Sequence, residues 1–212
     1  MQIISTNLGK ARTIIWRNKE VQTGFYKTPV NIPIYLGKNG VANDKVVDTK
    51  VHGGSDKASY LFSEKHYTYW KNLYPSLDWQ WGMFGENLTI LNLDETKIRI
   101  GDTFQIGEAQ IQASQPRQPC YKLGVRFNTQ KIVQQFVDYQ HAGIYVRVLK
   151  EGFVKTGDKM ELLEQNKNGI TIKEIFRLLY SKEKEQNLAK FAVEDNFLAE
   201  SCKKDLIRRF KL

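Results

Sequence analysis

The sequence predicts a mainly β fold, a barrel of short strands with a few helices, followed by a small unit of three helices. Three observations carry this. Short runs rich in β-branched and aromatic residues recur through residues 1–165, separated by tight-turn signals. The polar stretch Gln165-Asn166-Lys167-Asn168-Gly169 then interrupts the pattern, as a linker does. Beyond it, in residues 166–212, the apolar spacing becomes helical.

The strand-like runs are 11–17, 20–26, 32–36, 58–62, 87–90, 103–106, 109–114, 144–150 and 159–163. Arg17-Asn18-Lys19, Ile106-Gly107-Glu108 and Lys150-Glu151-Gly152 join neighbouring runs as hairpin turns would. So many short strands in succession predict a closed or nearly closed antiparallel barrel. One helix interrupts them, with Ser63 as its cap, His66, Tyr67, Trp70, Leu73 and Tyr74 at helical spacing, and Pro75 as its stop. A second is expected at 129–139, where Ile132, Val133, Phe136 and Val137 make an apolar stripe. In the tail, Thr171 and Glu174 form a capping box ahead of Ile172, Ile175, Phe176 and Leu179, and further helices follow at 184–193 and 196–210. Cys202, one turn from both Leu198 and Leu206, reads as a core residue of the last helix.

Composition narrows the function. No apolar run approaches the ~18 residues needed to span a bilayer, and Met1-Gln2-Ile3-Ile4-Ser5-Thr6-Asn7 lacks the pattern of a secretory signal, so a cytoplasmic location is expected. The net charge is +9, of which the tail from residue 166 holds eleven Lys/Arg against seven Asp/Glu. That excess is spread along the chain and reads as solvated basic surface rather than a nucleic-acid site. The two cysteines, more than eighty positions apart, form no disulfide framework. Among the three histidines none stands at a zinc-like spacing from another histidine or a cysteine, so no protein-only zinc site is expected. His66 reads as a packed helix residue, and His141 has no companion.

Four loops hold the chemistry-bearing residues. Ser114-Gln115-Pro116-Arg117-Gln118-Pro119-Cys120-Tyr121-Lys122-Leu123 ends a strand on two prolines and places a cysteine between cations. Arg117 and Lys122 would favour a thiolate, hence a nucleophile or metal ligand, while a small packed hydrophobe is the plain alternative. In His52-Gly53-Gly54-Ser55-Asp56-Lys57-Ala58 paired glycines let backbone amides approach an anion, or simply make a turn. Phe84-Gly85-Glu86-Asn87-Leu88 sets a carboxylate beside an amide, acceptor beside donor, although an Asn in such a turn is common. In Gly24-Phe25-Tyr26-Lys27-Thr28-Pro29-Val30, Lys27 either aims at a shared cavity or is solvated.

Together, in this order and spacing, these four loops resemble the MOSC family, named for the C-terminal domain of molybdenum-cofactor sulfurase. His66-Tyr67-Thr68-Tyr69-Trp70 and the helical tail are similar to its bacterial subgroup linked to detoxifying N-hydroxylated bases such as 6-hydroxylaminopurine. The resemblance implies a MOSC β-barrel domain at 1–165, a three-helix domain at 166–212, and a molybdenum cofactor (molybdopterin) whose metal is held by Cys120. It also implies Lys27, His52, Gly53, Gly54, Glu86, Asn87, Arg117 and Lys122 as cofactor-binding residues, and reduction of an N–OH group as the activity. With no flavin or nicotinamide fingerprint, electrons must come from a separate partner, flavodoxin-like or a flavoprotein reductase. The helical tail would serve as a homodimer contact or a lid. A sulfur or persulfide carrier, or a carrier of the cofactor itself, is the alternative from another class.

Overall fold

The computed structural model describes residues 1–45, 47, 53–183 and 185–212. In chain order the strands are β1 (Gln2–Gly9), β2 (Arg12–Trp16), β3 (Lys19–Thr23), β4 (Lys27–Val30), β5 (Ile34–Gly37), β6 (Gly40–Val41), β7 (Ser59–Ser63), β8 (Leu88–Leu91), β9 (Thr103–Ile106), β10 (Ala109–Pro116), β11 (Ile144–Lys150), β12 (Gly152–Val154) and β13 (Met160–Glu164). The helices are α1 (Lys65–Leu73), α2 (Tyr121–Arg126), α3 (Lys131–Tyr139), α4 (Ile172–Tyr180), α5 (Gln186–Glu194) and α6 (Glu200–Phe210).

Eight strands form one sheet in the order β13-β9-β10-β11-β7-β8-β1-β4. This corrects the expectation of a closed antiparallel barrel in two respects. β7 and β8 run parallel, because the chain between them makes a crossover through α1, and parallel neighbours need such a connection. The sheet's ends also form no continuous ladder. It is β1, the neighbour of the end strand β4, that meets the chain entering β13: Gln2 bridges Lys159, the Ile3 N–H donates to the Asp158 carbonyl at 2.9 Å, and the Met160 N–H donates to the Met1 carbonyl at 3.0 Å. β12, β5 and β6 make a separate small sheet, and β2 with β3 a lone hairpin.

β1 is a strand whose buried positions include Ser5, Thr6 and Asn7. These polar groups are buried only because they are bonded: Ser5 Oγ donates to Asn7 Oδ1 at 2.8 Å, and Asn7 Nδ2 donates to Thr89 Oγ1 at 3.2 Å. Two apolar clusters fill the interior. One joins the inward faces of the sheet to Ile172, Ile175, Ala189, Ala192, Cys202 and Leu206 of the last three helices. The other is aromatic, built from Tyr60, Phe62, Tyr67, Trp70, Phe84, Phe127 and Phe136, and it ties α1 and α3 to the sheet.

The helices begin close to their expected places. α1 follows Glu64 rather than Ser63, since Ser63 is fully buried as the last residue of β7. At α4 the capping box is complete: the Glu174 N–H donates to Thr171 Oγ1 at 3.2 Å, and the Thr171 N–H donates to Glu174 Oε2 at 2.9 Å. Thr171→Ala removes the hydroxyl that caps the Glu174 N–H and donates to Glu174 Oε2 at 2.7 Å, and is expected to lower stability by about 0.5–2 kcal/mol in urea unfolding, with an unchanged slope.

Candidate active site

The ends of β3, β4, β7, β10 and β11 surround a cleft that opens to solvent. Its walls include Phe25, Lys27, Asp44, Gly53, Tyr60, Asn87, Arg117, Cys120, Lys122 and Tyr145. Thus six of the residues singled out in the sequence, Lys27, Gly53, Asn87, Arg117, Cys120 and Lys122, meet at one surface although they span nearly a hundred positions. His52 lies outside the described residues. Gly54 has a φ of 83°, a conformation that favours glycine, and it does not line the cleft.

Cys120 is partly exposed and occupies the cap position of α2, just past Pro119. It reaches the cleft because Pro116 ends β10 and the chain turns before the helix begins. Cys202, by contrast, is fully buried in the core of α6, and burial followed by the nearby Asp205 carboxylate pushes its thiol up to about 12.

Arg117 is 3% exposed, with its guanidinium over three ring faces: Phe136 at 5.2 Å, Phe25 at 5.4 Å and Tyr60 at 5.7 Å. No carboxylate among the described residues pairs with it, and its buried Nη1 has no hydrogen-bond partner there. Removing an unpaired cation from water costs several kcal/mol, which cation–π contacts of roughly 0.5–2 kcal/mol each offset only in part. The Arg117 side chain is therefore suited to an anion that enters the cleft. Lys122, 6% exposed on α2, adds a second positive charge to the same wall.

Lys27 is handled differently. Burial pushes its ammonium down in pKa, and the Asp44 carboxylate, which accepts its hydrogen bond, works in the opposite direction. Asp44 also accepts from Asn87 Nδ2 at 3.0 Å and from the Gly9 N–H at 2.7 Å, so one carboxylate fixes a lysine, an asparagine and a strand end. Arg126 fixes the adjoining backbone, donating from Nη2 to the Lys27 carbonyl at 3.1 Å. Gly24 must lack a side chain: a Cβ there would run into the Lys45 carbonyl oxygen, one residue past Asp44.

Glu86 is not on the cleft surface. Its fully buried carboxylate accepts from the N–H groups of Gly82 (2.8 Å) and Phe84 (3.1 Å), from Thr89 Oγ1 (3.0 Å) and from the Tyr67 hydroxyl. Burial pushes its pKa up against these bonds, and it holds the Gly82–Glu86 turn that brings Asn87 to the cleft. Asp44, Tyr60, Tyr145 and Phe25 also line the walls without having been singled out as site residues from the sequence. Asp44 carries no local signal that separates it from any turn aspartate. Tyr145 sits on an expected strand, and only the pairing of β10 with β11 sets it beside Arg117.

The cleft thus carries on its walls an accessible thiol and a guanidinium that no carboxylate among the described residues neutralises. The chain belongs to the MOSC family, whose domain matches residues 48–161. It is 34% identical over 207 residues to the uncharacterized protein YflK of Bacillus subtilis (strain 168), covering 98% of this chain and 93% of that one. The crystal structure of YiiM from Geobacillus stearothermophilus superposes with a TM-score of 0.83 at 31% identity, covering 99% of this chain and 98% of that one. A Gibberella moniliformis (strain M3125 / FGSC 7600) protein named Reductase is 31% identical over 149 residues, which are 69% of this chain and 26% of that protein.

The two thiols should separate cleanly in the native protein. Ellman's reagent is expected to titrate one thiol per chain before denaturation, and none in Cys120→Ser; a second thiol reacting at a comparable rate would contradict the burial of Cys202.

Proposed function

We propose that this chain is a molybdenum-cofactor-dependent oxidoreductase that reduces N-hydroxylated compounds, of the hydroxylaminopurine type, to amines. The observation that carries the reading is the buried Arg117 guanidinium, orphaned at Nη1, in the same cleft as the accessible Cys120. The residues present fit the cofactor. A soft thiolate at Cys120 suits a soft metal, while Arg117 and Lys122 suit a phosphate. Asn87, whose amide is oriented by Asp44, suits the polar edge of a heterocycle. When bound, the cofactor would supply two-electron redox chemistry at the metal.

Around it the chain's own groups bind and orient. The N–O bond of the substrate breaks, two electrons and two protons enter, and an amine N–H and water leave. The electrons come from a separate redox protein, flavodoxin-like or a flavoprotein reductase, for which the basic surface of a +9 chain is electrostatically suited. Lys27 Nζ, hydrogen-bonded to Asp44 at the cleft wall, can hold a proton at that wall. MOSC membership, the likeness to YiiM and the reductase name of the fungal relative support an oxidoreductase of this kind.

Expression in a host that makes the cofactor, followed by metal analysis and a hydroxylamine-reduction assay with an artificial donor, tests the reading. Wild type is expected to carry molybdenum and turn over, and Cys120→Ser to lose both. Arg117→Met should retain about 10–100-fold less cofactor, the loss of one charge-assisted contact. Equal turnover by wild type and Cys120→Ser would overturn the proposal, and a metal-free persulfide on Cys120 would point to the sulfur carrier instead.

A further inference from the structure

Outside the cleft, three side chains that the sequence leaves unconnected come together. His66 is on α1, Glu95 lies in the turn after β8, and His141 lies in the loop between α3 and β11. One ligand atom from each lies within 4.8 Å of the other two. We propose that they bind one divalent transition-metal ion of the zinc class, through His66 Nε2, His141 Nδ1 and Glu95 Oε2, with solvent completing the coordination.

The spacing is that of ligands around an ion. Donors about 2.0–2.2 Å from a tetrahedral zinc lie roughly 3.3–3.6 Å from one another. Here His66 Nε2 is 3.3 Å and His141 Nδ1 3.6 Å from the same Glu95 oxygen. The second separation is too long for a hydrogen bond, and His141 Nδ1 is indeed a buried nitrogen with no hydrogen-bond partner among the described residues. The two imidazoles stack, with centroids 4.4 Å apart, so both present a nitrogen to one carboxylate.

The surroundings prepare each donor. The Tyr139 hydroxyl is 3.1 Å from His66 Nδ1, and if that nitrogen carries the proton, Nε2 keeps its lone pair for an ion. The Gly143 N–H donates to Glu95 Oε1 at 3.0 Å, leaving Oε2 available. Glu95 and His66 are buried, whereas the His141 side chain is 26% exposed and supplies an entrance. Two imidazoles and one carboxylate are a poor set for calcium or magnesium, which need more oxygen donors, and a good one for zinc and its neighbours. The absence of a zinc-like histidine spacing along the chain is thus overridden by the fold, which folds three distant segments onto one point.

The loop that carries His141 also bonds to two residues of the cleft. The Tyr60 hydroxyl donates to the Ala142 carbonyl at 2.7 Å, and the Arg117 N–H donates to the Gly143 carbonyl at 3.4 Å. An ion at the triad would therefore brace the backbone on which Tyr60 and Arg117 rest.

The test uses the full chain carrying Cys120→Ser, so that the accessible thiol does not compete. After chelator treatment it is titrated with Zn²⁺ calorimetrically and with Co²⁺ by visible absorption. One ion per chain is expected, with a melting temperature that rises with Zn²⁺ and does not respond to Ca²⁺ or Mg²⁺. His141→Ala should abolish both the binding and the shift. Tyr139→Phe, which removes only the hydroxyl, should weaken binding about 10–100-fold and so decides the matter if His141→Ala fails to fold. No saturable binding by the folded protein, or binding that neither substitution changes, would overturn the proposal.

Discussion

A cation enclosed without an anion is the constraint around which this structure is arranged. Arg117 stands at the end of β10 with its charge on three aromatic faces drawn from three parts of the chain: Phe25 before β4, Tyr60 on β7 and Phe136 on α3. Asp44, the carboxylate that lines the cleft, is committed to Lys27, Asn87 and Gly9. Had Asp44 paired with Arg117, the unmet positive charge would have moved to Lys27 and away from the aromatic faces. The contrast between Lys27, neutralised by Asp44, and Arg117, which has no carboxylate partner among the described residues, is what gives the cavity its chemical direction.

The aromatic cluster beneath is the support for that arrangement. Trp70, Phe62, Phe84 and Phe136 are fully buried and lock α1 and α3 against the sheet, so the ring under Arg117 cannot swing away. Phe25 is held from the other side: Gly85, with φ of 81°, leaves space that a Cβ would fill to within 2.7 Å of the Phe25 ring. A methyl group at Gly85 would thus be felt at the guanidinium through one intervening phenyl.

Much of this was legible in the sequence where local rules govern. The runs at 103–106 and 144–150 and the capping box at Thr171 follow from alternation and cap chemistry, and they match the observed elements. Local rules failed where tertiary context decides. β1 was missed because Ser5-Thr6-Asn7 reads as polar, and only partners from the neighbouring strand make it a buried strand. α2 was missed because Gly124 and the preceding Pro119 argue against a helix that is six residues long. The expected antiparallel order became a mixed sheet because the α1 crossover, visible as a helix between two strand runs, imposes a parallel pair. In the site, loops recognisable by motif converge, but Asp44, Tyr145 and the meeting of His66 with His141 depend on register and crossing. Glu86 shows the opposite error, a motif residue whose role is to shape a turn.

The spread of the cleft along the chain bears on when it can exist. Its walls run from Thr23 to Tyr145, and Arg117 has its proper setting only once β11 lies beside β10. Contacts between such distant positions form slowly, because a long loop must be closed before they contribute. A chain emerging from the ribosome therefore presents its hairpin of β2 and β3 and the helix α1 well before it has any receptor for an anion. Maturation of this protein is in that sense ordered by topology: backbone first, cavity last.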